Sequence, residues 1–202
     1  MKLTLAAVIP LLPLSFVEAS PTYHAANTSA VAITAALPGS PVHNRPLEAS
    51  GNKFWIGKPT STYCPLNAEE CPKGKDTTIW VGNELTTCGM NVVVPGGQQV
   101  YVAPDGSLSY TQAHSAFVPP GSTRDGFCLL PERPDGLREL AISSRQFFAC
   151  PEAKDSGVWQ IFARADDQDV RGQSAAQGQS TAHCLKFTAL ASPAKDPVWQ
   201  YA

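Results

Sequence analysis

The chain has 202 residues, 43% of them hydrophobic and 16% charged, with 15 Gly and 18 Pro. That apolar share excludes a fully disordered chain, and so many glycines and prolines exclude long uninterrupted helices. Lys and Arg number 15 against 17 Asp and Glu, a net charge of −2, which offers no electrostatic footprint for nucleic acid or an anionic membrane.

Residues 1–19 read as a secretory signal peptide. Lys2 supplies the positive start, residues 3–17 form an apolar stretch without charge, and Val17-Glu18-Ala19 fits a cleavage site. The stretch is short for a membrane span and holds Pro10 and Pro13, so no membrane span is expected. Cleavage after Ala19 makes Ser20 the mature terminus. A polar arm of small residues over 20–30 follows and carries one glycosylation sequon, Asn27-Thr28-Ser29.

From there one grammar repeats: a short run of β-formers, then Gly, Pro or Asn. Strands are predicted over 30–36, 54–57, 77–81 and 91–94. The clearest local structure is Val100-Tyr101-Val102-Ala103-Pro104-Asp105-Gly106-Ser107-Leu108-Ser109-Tyr110-Thr111. Pro104 fixes φ and Gly106 accepts a positive one, so 100–103 and 108–111 should pair as a hairpin. Further strands are predicted over 126–130, 137–142, 146–149, 158–164 and 184–190, with an exposed loop over 166–181. The spacing points to an all-β fold, a compact antiparallel sandwich or barrel with long loops. One β-rich domain is expected over 31–191, ending in a C-terminal tail over 192–202.

Six cysteines lie beyond the leader: Cys64, Cys71, Cys88, Cys128, Cys150 and Cys184. In an exported chain an even number predicts disulfide staples, and no Cys-x-x-Cys pair suggests a metal. Cys64 and Cys71 close a short local loop. Cys150 ends one predicted strand and Cys184 starts another, so a bridge there clamps the loop between them. Cys88 and Cys128 then pair by elimination.

Signatures of catalysis are absent or incomplete. No Gly-x-Ser-x-Gly elbow occurs. His114, beside Ser115, is the most suggestive of four scattered histidines, yet a loop histidine with a hydrogen-bonded ring explains it. A glycosidase needs two converging carboxylates; Glu69, Glu70, Asp105, Asp125 and Glu139 are available, each in or near a turn or strand end. Asp167, Asp169 and Gly172 match part of a calcium loop, but Arg171 and Gly178 stand where ligands are required. A copper-dependent oxidative enzyme would need histidine as the mature first residue, where Ser20 stands. No cofactor and no metal is therefore expected.

Exposed aromatics could stack on sugars. Trp55, Trp80, Trp159, Trp199 and Tyr63 are candidates, most of them inside predicted strands where core packing is the expected use. Trp199-Gln200-Tyr201, in the terminal tail, holds the aromatic pair expected to be partly exposed.

Three segments carry a family resemblance. They are Phe54-Trp55-Ile56-Gly57 with Tyr63-Cys64-Pro65 and Cys71-Pro72-Lys73-Gly74; Val94-Pro95-Gly96-Gly97-Gln98-Gln99 running on through the hairpin to Leu108; and Phe147-Phe148-Ala149-Cys150-Pro151 with Trp159-Gln160-Ile161 and Cys184-Leu185-Lys186-Phe187. With these the chain resembles, over roughly 31–191, the small secreted fungal proteins described as IgE-binding or phiA-type cell-wall proteins. The resemblance implies a secreted or wall-associated, allergen-like protein and brings no catalytic residues. The expected function is that of a non-enzymatic extracellular protein with cell-wall polysaccharide as partner. The alternatives are a small polysaccharide hydrolase using dispersed carboxylates and a lectin-like module.

Overall fold

The computed structural model describes residues 30–82, 86–165 and 184–202. The leader, Asn27, most of the 20–30 arm and the Asp-rich 166–181 loop with its calcium reading lie outside the described residues.

In chain order the strands are β1 (Val31–Ala36), β2 (Arg45–Pro46), β3 (Glu48–Ser50), β4 (Lys53–Ile56), β5 (Thr62–Tyr63), β6 (Thr78–Val81), β7 (Cys88–Met90) and β8 (Gln99–Val102). After these come β9 (Leu108–Tyr110), β10 (Phe127–Leu129), β11 (Arg138–Ile142), β12 (Gln146–Pro151), β13 (Trp159–Arg164), β14 (Leu185–Pro193) and β15 (Gln200–Tyr201). The described residues contain no helix. The fold is all-β and antiparallel throughout its ladders, as the composition and strand spacing predict.

Hydrogen bonding follows the path β14-β12-β13-β4-β9-β8-β7-β6-β1, and a further β14–β1 pairing closes it on itself. That closing pair runs from Val31 opposite Pro193 to Ala36 opposite Thr188. Alternation explains why these two strands meet. β1 buries Val31, Ile33 and Ala35, and β14 buries Phe187, Ala189 and Ala191, so each offers one apolar face at period two. Closure removes most exposed edges from the sheet. β10 and β11 extend the sheet beyond β14, and β15 with β5 forms a separate two-stranded ribbon.

The hairpin forms where its turn chemistry places it. Val100, Tyr101 and Val102 face Tyr110, Ser109 and Leu108, and the Ala103 amide donates to the Ser107 carbonyl at 2.9 Å. Gly106 adopts φ 83°, a region open to glycine at little cost.

Two strand predictions shift. Residues 91–94 are not a strand; β7 instead occupies Cys88–Met90, and Val92 makes one isolated bridge to Val198. Tertiary pairing with β6 and β8 selects the earlier residues, whereas Pro95-Gly96-Gly97 bends the chain away. The stretch 192–202 is not a tail: β14 runs to Pro193, and Val198 and Tyr201 are 2% and 1% exposed. Tyr201 packs edge-on against Tyr110, which packs edge-on against Phe54, with centroids 6.2 and 5.6 Å apart. A buried aromatic of this size stabilises by about 1.5–3 kcal/mol, enough to draw the last strand into the core.

The disulfides are Cys64–Cys71 and Cys150–Cys184, with Cα atoms 6.2 and 4.1 Å apart. The second continues the β12–β14 register, in which Ala149 faces Leu185. The expected Cys88–Cys128 bridge is absent, and both thiols are free. Their backbones lie near one another, since the Phe127 amide donates to Thr86 at 2.8 Å. Strand parity separates the sulfurs: Cys88 and Phe127 both belong to the core, so Cys128, one residue past Phe127, points to the other face. Burial pushes the Cys88 thiol well above its ordinary pKa. One thiol of the native protein should therefore react with an aromatic disulfide reagent, the half-buried Cys128, and a second only after unfolding. Two native equivalents, or none in denaturant, would contradict this arrangement.

Candidate functional site

The catalytic candidates disperse. His114 is exposed at φ 61° on the loop after the hairpin. Glu69, Glu70 and Asp125 are exposed, and Glu139 is half-buried on β11. Among the described residues no group of three His, Cys, Asp or Glu side chains is placed to hold a metal.

One polar cluster was not foreseen. Under the hairpin turn, Asp105 Oδ1 accepts from the Ser107 amide at 2.9 Å and from Ser107 Oγ at 2.7 Å. Lys53 Nζ donates to the same Oγ at 3.3 Å. Burial alone would push the Asp105 carboxyl up, but the Ser107 hydrogen bonds and the charges of Lys53 and Arg164 outweigh it and hold the pKa low. A serine between a lysine and a carboxylate resembles a nucleophile with its base. Ser107 is 0% exposed, however, and a nucleophile must reach its substrate. The cluster braces the turn from within: Arg164 donates to the Asp105 carbonyl at 3.3 Å, and its guanidinium lies over Phe162 at 4.4 Å.

Aromatic exposure falls elsewhere than expected. Tyr201, predicted to be partly exposed, is buried, and Trp199 is half-buried. Trp55 is 7% exposed, with its Nε1 donating to the Ser50 carbonyl at 2.8 Å. Tyr63 is 55% exposed, on the short ribbon. Trp80 stands out at 40% exposed in a strand whose other residues are buried.

The reason for Trp80 is local. In Ile79-Trp80-Val81 period two turns Ile79 and Val81 inward and Trp80 outward. Across the ladder Trp80 faces Gly89. A Cβ built on Gly89 would lie 2.6 Å from Trp80 Cζ2 and 2.7 Å from Cε2, so the indole lies over the glycine backbone. The ring thus covers its glycine partner and remains open on its other side. The sequence holds the pattern of a tryptophan between two β-branched residues, and the structure decides which face is inward.

Trp80 separates two depressions. One, of about 420 Å³, is lined by Thr87, Gly89, Gly96, Gly97 and Gln99 among others. The other, of about 430 Å³, is lined by Trp80 with Ala30, Asn91, Ala194 and Lys195. Its backbone is held in place: Ala194 N donates to the Ala30 carbonyl at 2.8 Å, and Asn91 N to the Thr78 carbonyl at 2.9 Å. Asn91 Nδ2 is buried and has no hydrogen-bond partner. A buried donor left unpaired costs about 1–3 kcal/mol, and the burial that leaves this nitrogen unpaired also closes it to a ligand. Thr78 Oγ1, Trp159 Nε1 and two Arg164 nitrogens share the condition, but those residues line neither depression. Neither depression holds a carboxylate. The arrangement is a flat aromatic surface with amide and hydroxyl groups at its edges, suited to stacking and hydrogen bonding.

Among the described residues no helix is long and apolar enough to cross a membrane. Comparison with known proteins agrees with export. An uncharacterized secreted protein of Arthroderma benhamiae is 36% identical over 207 residues, covering 99% of this chain and 98% of the relative. No solved structure matches. Residues 31–202 match the PhiA-like secreted proteins, a span that includes every strand from β1 to β15. The chain is a secreted protein and belongs to the PhiA-like secreted protein family.

Proposed function

We propose that this secreted protein is a non-enzymatic, cell-wall-associated protein that binds wall polysaccharide through the face around Trp80. The observation that carries the reading is the indole spread over Gly89 with its other side open and a depression at each edge. A pyranose presents a flat, weakly apolar face of C–H groups, and an indole is the best side-chain partner for it. Binding to a polymer needs no deep pocket, because one chain of repeating sugars offers a shallow aromatic face many equivalent units. Allergen-like recognition, which the family resemblance implies, belongs to the same reading as a property of a compact stapled surface and is testable with sensitised sera.

The test is retention of the mature protein on insoluble chitin, β-glucan and mannan, with soluble sugars assayed in the same tubes. Retention on at least one polymer is expected, with Trp80→Ala lowering it about tenfold, equivalent to roughly 1.4 kcal/mol, and no sugar released. Because Trp80 is exposed, Trp80→Ala should leave the melting temperature within a few degrees. Retention that survives Trp80→Ala, or release of soluble products, would overturn the reading.

A further inference from the structure

We infer that the Trp80 face is a groove for the interior of a linear polysaccharide chain, with one sugar on the indole and another in the depression on each side. This rests on the polysaccharide reading and adds to it the form of the ligand: a run of units within a chain, not a chain end or a single sugar. The two depressions lie on opposite flanks of β6, and Trp80 lines both. One belongs to β7 and β8, through Thr87, Gly89 and Gln99. The other belongs to the ends of β1 and β14, through Ala30, Ala194 and Lys195.

Strand register aligns the two halves. Trp80 faces Gly89, and Gly89 faces Gln99. On the other flank Val31 faces both Ile79 and Pro193, so one residue along each ladder Ala30 stands beside Trp80 and Ala194 beside Ala30. The bond from the Ala194 amide to the Ala30 carbonyl, 2.8 Å, fixes that last step. Residues directly opposite in neighbouring strands share a face. One row, Gln99-Gly89-Trp80-Ala30-Ala194, therefore crosses the strands on the outer face, and the depressions are its two halves. Next to the indole, Gly89 and Ala30 raise nothing larger than a methyl, so a chain laid on the ring meets no wall where it leaves on either side. A site for a single sugar or a chain end would instead enclose its ligand and bury most of its surface. The outer ends supply polar groups: the half-buried Gln99 carboxamide both donates and accepts, and the exposed Lys195 ammonium donates.

Calorimetric titration of the mature protein with oligomers of β-1,3-glucose, N-acetylglucosamine and mannose, from monomer to hexamer, tests this. In a series that binds, affinity is expected to rise about tenfold with each unit up to the trimer. Beyond it only the slow statistical gain from extra registers remains. Reducing the terminal sugar to its alditol should leave the hexamer affinity unchanged. Gln99→Phe and Ala194→Phe, each filling one half of the groove, should each bring the plateau down to the dimer. Trp80→Ala should lower the affinity of every binding oligomer about tenfold. Circular dichroism and melting establish that each variant is folded, and Gln99→Arg or Ala194→Arg, similar in bulk with a solvated head, replaces a phenylalanine variant that is not. Affinity that is flat from monomer to hexamer yet falls in Trp80→Ala overturns the groove and leaves the polysaccharide reading standing. So does a plateau that neither folded half-filled variant moves, or hexamer binding that is lost on terminal reduction. Absence of binding in all three series overturns both.

Discussion

Gly106→Val is expected to destabilise the protein by about 3 kcal/mol, a fall in melting temperature of roughly 6–12 °C for a domain of this size. Two costs combine. At φ 83° a β-branched residue enters a backbone region it strongly disfavours. Its Cβ would also lie 2.9 Å from Arg164 Cγ and Nε, and Arg164 is only 4% exposed, so it has little room to retreat. Gly39 separates the two effects. It has φ 80°, and nothing lies within 4 Å of a Cβ built there, so Gly39→Val carries the backbone cost alone. The Gly106 variant should melt measurably lower than the Gly39 variant. Equal melting temperatures would show that Arg164 yields freely and that the cluster around Asp105 does not brace the turn.

Tyr201→Ala is expected to cost about 3–5 kcal/mol, the range for removing a fully buried aromatic. The side chain is 1% exposed and packs on Tyr110. Its hydroxyl accepts from the Thr78 amide at 2.9 Å and donates to the Asp76 carbonyl at 2.9 Å. Its own amide donates to Gln98 Oε1 at 2.8 Å, while Gln98 Nε2 donates to its carbonyl at 3.0 Å. Tyr201→Phe keeps the ring and strands the Thr78 amide, so about 1–3 kcal/mol is expected. Urea unfolding measures both variants. Changes below about 0.5 kcal/mol would mean that the final strand is a surface tail after all.

The same residue shapes the alkaline limit of stability. Burial pushes the Tyr201 phenol above its ordinary value, chiefly by desolvation. The folded state then resists ionisation more than the unfolded state does. The associated stability is complete below the unfolded value of about 10 and is lost as pH rises from there towards the folded value.

Much of the sheet was legible because its signals are local. Runs of β-formers marked β1, β13 and β14, alternation with serines marked β9, and Pro104-Asp105-Gly106 marked the hairpin, since proline and glycine act on the backbone torsions of their own residues. Short strands such as β2 and β15 left no such mark; two residues carry no period. The candidate site was half legible. Trp80 was named as an aromatic that could meet sugars, but its place inside a predicted strand argued for the core. Only the placement of Ile79 and Val81 against the interior, and of Gly89 beneath the indole, turned it outward.

By itself the amino-acid sequence determined the all-β class, most strand positions, the hairpin, the secretory character and the two disulfides whose partners are near in the chain or at facing strand ends. Each depends on torsional preference, side-chain period or a short loop closure, quantities set within a few residues or by one strand pair. The tertiary structure decided the rest: closure of the sheet through β14 and β1, burial of Tyr201 against Thr78, Gln98 and Tyr110, and the fates of Cys88 and Cys128. Those outcomes depend on which apolar faces from distant parts of the chain fit together. A face is chosen by one-residue parity relative to a remote partner, and a shift of one residue turns a buried side chain to the surface. That parity placed Cys88 inside and Cys128 outside the core, and it left Trp80 facing solvent.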